Sequence, residues 1–135
     1  MAHVDFRPLI TAAKKASESA YSPYSGFPVG AAVLAEDGSI YSGCNVENAS
    51  YGLTVCAERV AVFKAVTAGL RSIRAIVVYT PTSSPTAPCG ACRQVLFEFG
   101  PGAQVLSACD SDETLEWSVT DLLPNAFGPS NLDGH

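Results

Sequence analysis

Basic residues are scarce in this chain. Eight Lys and Arg stand against 13 Asp and Glu, which gives a formal net charge of −5, and the eight form no run. Proteins that grip DNA or RNA backbones concentrate positive charge on one face. Since this balance repels phosphates overall, we expect no nucleic-acid partner and a small neutral substrate.

Long apolar runs are also missing, and none approaches the length that a membrane-spanning helix needs. The first ten residues include Asp5 and Arg7 and lack the continuous apolar core of a secretory leader. We therefore expect no membrane partner and a cytoplasmic location, where thiols stay reduced and available for metal.

The composition has no bias towards disorder. Hydrophobic residues make up 47% of the 135 positions and charged residues 16%, which is typical of globular chains. A chain of this length suits one domain with one core, and no repeat or linker interrupts it. We predict a single domain over residues 1–135.

The chain has five cysteines, and two of them, Cys89 and Cys92, stand in Cys-x-x-Cys spacing. On the first turn of a helix, such a pair projects from one side and can fill two corners of a tetrahedral zinc site. Cys56 can fill a third. Three protein ligands leave one corner for water, the pattern of a catalytic zinc, and Glu58 is placed to take the proton from that water.

Three thiolates give the predicted zinc site a formal charge of about −1, which weakens the acidifying effect of the metal on water. Both ligand segments have the pattern of helix starts, where backbone N–H groups and the helix dipole stabilise thiolates. Arg59 and Arg93 directly follow the ligand motifs. We predict that both arginines reduce electron donation by the thiolates.

The chain resembles the zinc-dependent cytidine deaminases, in particular the short free-nucleoside enzymes with three thiolate ligands. The metal motifs carry the resemblance, and the match extends over residues 23–32 and 43–51 and covers nearly the whole chain. The two metal motifs read Cys56-Ala57-Glu58 and Pro88-Cys89-Gly90-Ala91-Cys92-Arg93-Gln94.

The resemblance implies an activity: hydrolytic deamination of cytidine and 2′-deoxycytidine to uridine and 2′-deoxyuridine, with release of ammonia, in pyrimidine salvage. It also implies one Zn²⁺ per chain and a homotetramer. Glu58 is then the proton shuttle, while Arg59 and Gln94 orient the thiolates from behind. The implied substrate contacts are Phe27, Asn45, Glu47, Tyr51, the backbone N–H of Ala57 and, from another subunit, Phe127.

Simpler interpretations of these substrate contacts remain open. Asn45 and Glu47 alternate along an extended segment and so point the same way, which suits a sugar hydroxyl that both donates and accepts. A polar cluster of this kind also occurs as a turn that bonds its own backbone. Phe27 could be a packing residue of a proline-bounded loop, and Phe127 a residue that docks the tail.

Other functions also share parts of the pattern. A Cys-x-x-Cys pair alone suits thioredoxin-like redox chemistry, and a structural zinc needs a fourth ligand. Cys44 and Cys109 are candidates, yet they lie in or beside strand-like apolar sequence and are expected to be buried small hydrophobes. His3 and His135 stand at the termini and are poor ligands. A blasticidin-type deaminase shares the zinc motifs, and a deaminase of tRNA or DNA is disfavoured by the acidic balance.

Apolar periodicity predicts helices at 6–21, 56–67, 89–99 and 120–124, the last capped by Thr120. It predicts strands at 29–34, 40–44, 74–79, 103–108 and 114–117, with a hairpin turn at Asp37-Gly38. We predict an α/β fold, a three-layer helix/sheet/helix sandwich around a mixed sheet of about five strands. Both metal motifs follow strands, so they can converge at one end of the sheet.

Overall fold

A five-stranded mixed sheet forms the centre of the fold in the computed structural model, which describes residues 3–133. The strands lie in the order β2-β1-β3-β4-β5, and only the β3–β4 pair is parallel. The strands are β1 (Gly30–Ala35), β2 (Ile40–Cys44), β3 (Ile73–Tyr79), β4 (Gln104–Ala108) and β5 (Thr114–Ser118). The helices are α1 (Arg7–Ser17), α2 (Ala57–Thr67), α3 (Gly90–Phe99) and α4 (Val119–Leu122).

Alternation along the strands divides the core between the two faces of this sheet. On β1, Ala32 packs with residues of α1, whereas Ala31 and Val33 pack with residues of α2 and α3. The two side-chain clusters therefore form separate layers on opposite faces. The prediction of a three-layer α/β sandwich with a mixed five-stranded sheet is confirmed.

Two glycines let the helices approach the sheet closely. A Cβ on Gly30 would lie 1.8 Å from the carbonyl oxygen of Ala13 in α1, and one on Gly43 would lie 2.6 Å from the backbone nitrogen of Ala61 in α2. Neither gap can hold a methyl group. Gly30 thus allows α1 to pack closely on one face of the sheet, and Gly43 allows α2 to pack closely on the other.

The sheet topology brings the starts of α2 and α3 to one edge. β2 and β3 both run antiparallel to β1, so their carboxyl ends lie at the same end of the sheet. α2 follows β2 and α3 follows β3 along the chain. The expected convergence of the two metal motifs is therefore present in the fold.

Several predicted boundaries differ from the observed ones. α1 ends at Ser17, before the predicted end at Tyr21, and a turn follows. Thr120 is not the cap of α4, because the helix begins one residue earlier and the Ser118 hydroxyl accepts the Asp121 N–H at 3.2 Å. The Asp37-Gly38 turn is present, with Gly38 at φ 88°. None of the helices described is long and apolar enough to cross a membrane.

We expect Gly30→Ala to destabilise the protein by about 3 kcal/mol or more, because the new methyl would have to displace the backbone of α1. Gly102→Ala is the matched control, since a Cβ there meets nothing within 4 Å. Chemical unfolding monitored by circular dichroism measures both. Equal stability of the two variants would show that the close α1–β1 approach is not required.

Candidate active site

Three cysteine sulfurs form a compact cluster at the end of the sheet where α2 and α3 begin. The Sγ atoms of Cys56, Cys89 and Cys92 all lie within 4.8 Å of one another, and those of Cys56 and Cys89 are 3.7 Å apart. Tetrahedral zinc with Zn–S bonds of about 2.3 Å requires sulfurs about 3.8 Å apart. The cluster therefore has the donor type and the spacing of a zinc site.

The sequence places these sulfurs by local helix geometry. Cys56 is the N-cap of α2, Cys89 is the N-cap of α3, and Cys92 is the third residue of α3. Neither N-cap side chain accepts a hydrogen bond from its helix. The N–H groups of both first turns and both helix dipoles consequently favour negative charge at the cluster.

Arg59 brings a positive charge directly to the cluster. Its Nη2 lies 3.7 Å from the Cys56 Sγ and also donates to the Thr54 carbonyl at 3.3 Å. The pKa of the Cys56 thiol is lowered to about 5, first by its hydrogen bond with Cys92 and then by Arg59. The same hydrogen bond, together with burial, raises the pKa of Cys92. Without metal, the neighbouring thiol and the positive charge of Arg59 thus favour the thiolate form of Cys56.

Glu58 is the buried acid of the site. It is the second residue of α2 and only 5% exposed. Burial raises the pKa of its carboxyl to about 7, and the nearby Cys56 charge adds to this rise. A carboxyl with a pKa near neutral both accepts and returns a proton readily, which is the property of a general acid–base group.

A cavity of about 430 Å³ opens in front of the sulfur cluster. Cys56, Cys89 and Glu58 line it together with Ala57. The predicted substrate contacts Phe27, Asn45 and Glu47 line it too, so the structure brings both groups to one space. Its size falls within the range of small-molecule sites.

Asn45 and Glu47 also hold the loop that carries Phe27. The Asn45 amide donates to the Phe27 carbonyl at 2.8 Å and accepts the Val29 N–H at 2.9 Å. The Glu47 carboxylate accepts the N–H groups of Tyr24 and Ser25 and the Ser25 hydroxyl. These hydrogen bonds, the Ser25 hydroxyl first, lower the pKa of Glu47. Both side chains therefore shape one wall of the cavity.

Two predicted substrate contacts lie apart from the cavity lining. The Tyr51 side chain is 74% exposed and meets Tyr24 edge to face, with ring centroids 5.8 Å apart. The Phe127 side chain is 61% exposed, while its carbonyl accepts the Gln94 amide at 2.8 Å. Within one chain, Gln94 thus binds the tail rather than a ligand sulfur.

The guanidinium of Arg93 makes no hydrogen bond to a ligand sulfur in the described part of the chain, so an effect on the thiolates would have to act through its charge. Its guanidinium donates to two backbone carbonyls, those of Pro88 and Leu122, and not to a thiolate. The reason is the helix geometry: Arg93 follows Cys92 directly on α3, and adjacent helical positions face different directions.

Cys44 and Cys109 stand outside the metal cluster, which is the one group of this kind in residues 3–133. Cys109 is buried as expected, and its Sγ lies 3.2 Å from the Ser111 hydroxyl. Cys44 is only half-buried. Within residues 3–133, three cysteines form the metal cluster, and neither Cys44 nor Cys109 adds a fourth sulfur to it.

Sequence reasoning missed part of the cavity lining. Ser25 stands in the proline-bounded loop, two residues before Phe27, and its hydroxyl accepts the Phe27 N–H at 3.0 Å. The serine within that loop was the available signal. The further lining residues carry no sequence signal of their own: Val29, Thr54, Val78, Thr80, Thr86 and Ala87.

We expect Glu58→Gln to stabilise the zinc-free protein. Because the folded carboxyl has a pKa of about 7 against 4.5 for the free group, the folded state binds more protons, and stability falls as pH rises from 4.5 to about 7. The full cost, about 3 kcal/mol, applies at pH 8 and vanishes towards pH 4.5. Urea unfolding of the reduced, zinc-free proteins at both pH values measures it.

The control for this stability measurement is Glu98→Gln, at an exposed position of α3. We expect this variant to unfold like the wild type at both pH values. Equal stability of Glu58→Gln and wild type at pH 8 would contradict the burial cost.

Comparison with known proteins places the three cysteines and Glu58 within a described zinc-binding family region. Residues 6–108 match the family model described as the cytidine and deoxycytidylate deaminase zinc-binding region. The cytidine deaminase of Sporosarcina psychrophila is 52% identical over 130 residues, which cover 96% of each chain. That of Halalkalibacterium halodurans is 48% identical over 131 residues, covering 96% of this chain and 99% of the relative.

Solved structures show the same fold. The crystal structure of cytidine deaminase from Burkholderia pseudomallei has a TM-score of 0.87 and 52% identity, covering 94% of this chain and all of that chain. The Mycobacterium tuberculosis enzyme has a TM-score of 0.81 and 44% identity, covering 93% and 99%. Since the family model spans most of the chain and the relatives nearly all of it, this chain belongs to the zinc-binding cytidine and deoxycytidylate deaminase family.

Proposed function

We propose that this chain is a zinc-dependent hydrolase that converts cytidine and 2′-deoxycytidine to uridine and 2′-deoxyuridine and releases ammonia. One observation carries the proposal: two sulfurs of a three-cysteine cluster at zinc spacing and a buried acid with a pKa near 7 line the same cavity. The cytidine deaminases that are about half identical to the chain support the choice of substrate.

Cys56, Cys89 and Cys92 would hold the zinc ion. When bound, zinc supplies the Lewis acidity that makes water a nucleophile near neutral pH. The two helix starts and Arg59 place positive potential around the three sulfurs. This potential draws electron density from the thiolates and so preserves the acidity of the metal.

Glu58 moves the protons of the reaction. It takes a proton from the attacking water and passes it to N3 of the pyrimidine, so that C4 becomes electrophilic. After the water oxygen has bonded to C4, Glu58 takes the remaining proton from that hydroxyl and gives it to the amine, which departs as ammonia when the C4–N bond breaks. Burial suits the side chain to this cycle because neither its charged nor its neutral form is strongly favoured near pH 7. The backbone N–H of Ala57, first in α2, binds the base carbonyl oxygen.

Asn45 and Glu47 bind the sugar at the other end of the cavity. Each retains hydrogen-bonding capacity: Asn45 has a second amide proton, and Glu47 has an acceptor position on the oxygen that meets Ser25. A sugar hydroxyl can accept from the amide and donate to the carboxylate at once. Phe27 provides an apolar surface beside it.

Tyr51 and Phe127 complete the site in a homotetramer. Both rings are largely exposed in the single chain, where burying them against another subunit would remove apolar surface from water. Phe127 then closes the cavity of a neighbouring chain. Gln94, which follows the ligand motif, holds the tail by donating to the Phe127 carbonyl. We place the enzyme in the cytoplasm, in pyrimidine salvage, with no nucleic-acid partner.

We expect Glu58→Gln to retain zinc and fold but to lose deamination by at least about a thousandfold, because the amide cannot accept the proton. Zinc content per chain and the fall in cytidine absorbance test this together. Glu98→Gln serves as the control and keeps wild-type turnover. Wild-type turnover in Glu58→Gln would remove Glu58 from the mechanism, and metal-free active wild type would remove zinc.

Glu47→Gln should raise the KM for cytidine about tenfold with little change in kcat, because the amide keeps one acceptor oxygen for the loop but loses the second. Glu36→Gln, in the β1–β2 turn, is the matched control. Steady-state kinetics on cytidine and 2′-deoxycytidine separate the two constants. A fall in kcat at unchanged KM would contradict the sugar assignment.

A further inference from the structure

Arg93 connects the zinc-ligand turn to the end of α4. Its Nε donates to the Pro88 carbonyl at 2.8 Å, and its Nη1 donates to the Leu122 carbonyl at 3.1 Å. Arg93 is itself half-buried on α3. The planar guanidinium fork can hold two acceptors in fixed relative positions, which a lysine ammonium does less well.

The Pro88 carbonyl directly precedes a zinc ligand. Pro88 is buried, so its carbonyl oxygen needs a hydrogen-bond partner inside the protein, and Arg93 supplies the one described. Cys89 follows as the N-cap of α3; it is exposed, and the segment before it consists of bends at 81–84 and irregular chain from 85 onwards. The position of the backbone at Pro88 therefore determines the position of the Cys89 Sγ.

The second carbonyl provides the fixed end of this connection. Leu122 is the last residue of α4 and packs against the core cluster that includes Leu96 and Val119. α4 is packed on α3 and β5. Because the core holds Leu122, its hydrogen bond fixes the guanidinium relative to the core and not relative to the exposed loop.

We propose that Arg93 is a positioning residue for zinc: its bridge between the Pro88 and Leu122 carbonyls holds Cys89 at the spacing that the metal requires. Arg93 touches neither sulfur nor substrate in this arrangement, whereas Arg59 lies against the Cys56 sulfur. The two arginines that border the metal motifs thus have different tasks. Arg59 places a positive charge beside the Cys56 sulfur, and Arg93 holds the backbone before Cys89 in position.

Zinc release from the purified holoenzyme tests this role directly. Arg93→Met keeps the apolar stem and removes the donors, and we expect zinc to pass to the chelator 4-(2-pyridylazo)resorcinol about tenfold faster than from wild type. Arg93→Lys keeps the charge but reaches one carbonyl at a time, so an intermediate rate is expected.

Arg71→Met is the matched control. Arg71 also donates to two backbone carbonyls, those of Val66 at 2.6 Å and Leu70 at 3.4 Å, but it lies in the connection between α2 and β3. We expect its zinc release to match that of wild type. If Arg93→Met fails to fold, Arg93→Lys compared with Arg71→Lys decides the same question.

Thermal unfolding with and without zinc separates positioning from general stability. A residue that acts through the ligand geometry lowers the Tm of the zinc-loaded protein more than that of the zinc-free protein, because only the former loses metal affinity. Wild-type zinc release in the Arg93 variants, or equal Tm losses in both forms, would overturn the proposal. Wild type that binds no zinc would instead overturn the proposed function, on which this inference rests.

Discussion

The site depends on two helix N-termini meeting at one end of the sheet. β2 and β3 each run antiparallel to β1, and this arrangement points both strands, and the helices that follow them, at the same place. Each helix contributes an N-cap cysteine, and the first turn of α3 adds Cys92. Exposed backbone N–H groups there favour thiolates, so the topology supplies both the position of the sulfurs and part of their electrostatic stabilisation.

Glu58 and the first sulfur ligand, Cys56, share one short segment but need opposite environments. The pKa of Cys56 is lowered by its hydrogen bond with Cys92 and by Arg59 beside it, whereas Glu58 two residues later is buried and has its pKa raised to about 7. A single turn at the start of α2 separates the two because the N-cap faces the cluster edge while the second helical residue points inward. Gly43 allows α2 to pack closely on the sheet, and in this position of the helix the Glu58 carboxyl is buried away from water.

The fold and the metal cluster were predictable from sequence because their signals are local. Strand runs, the Asp37-Gly38 turn and the two cysteine motifs each depend on a few neighbouring residues, and the mixed five-stranded sheet was predicted from them. Contacts between distant segments carry no such signal. Arg93 has a ligand as its neighbour in sequence, yet it bonds Leu122, 29 residues away. The cap of α4 moved from Thr120 to Ser118 because β5 runs directly into the helix.

Asn45 and Glu47 lie in the cavity wall, and the sequence left two interpretations of them open. A turn that bonds nearby backbone and a grip on a sugar hydroxyl seemed to exclude each other for Asn45 and Glu47. The structure gives both side chains hydrogen bonds to residues 24–29, yet leaves one donor on the amide and one acceptor on the carboxylate unused. Because the bonds already made fix the two side chains, a hydroxyl that bound to the unused groups would cause little further loss of side-chain freedom. In the proposed function, the hydrogen bonds that hold the cavity wall would therefore also preorganise the same two residues for the sugar.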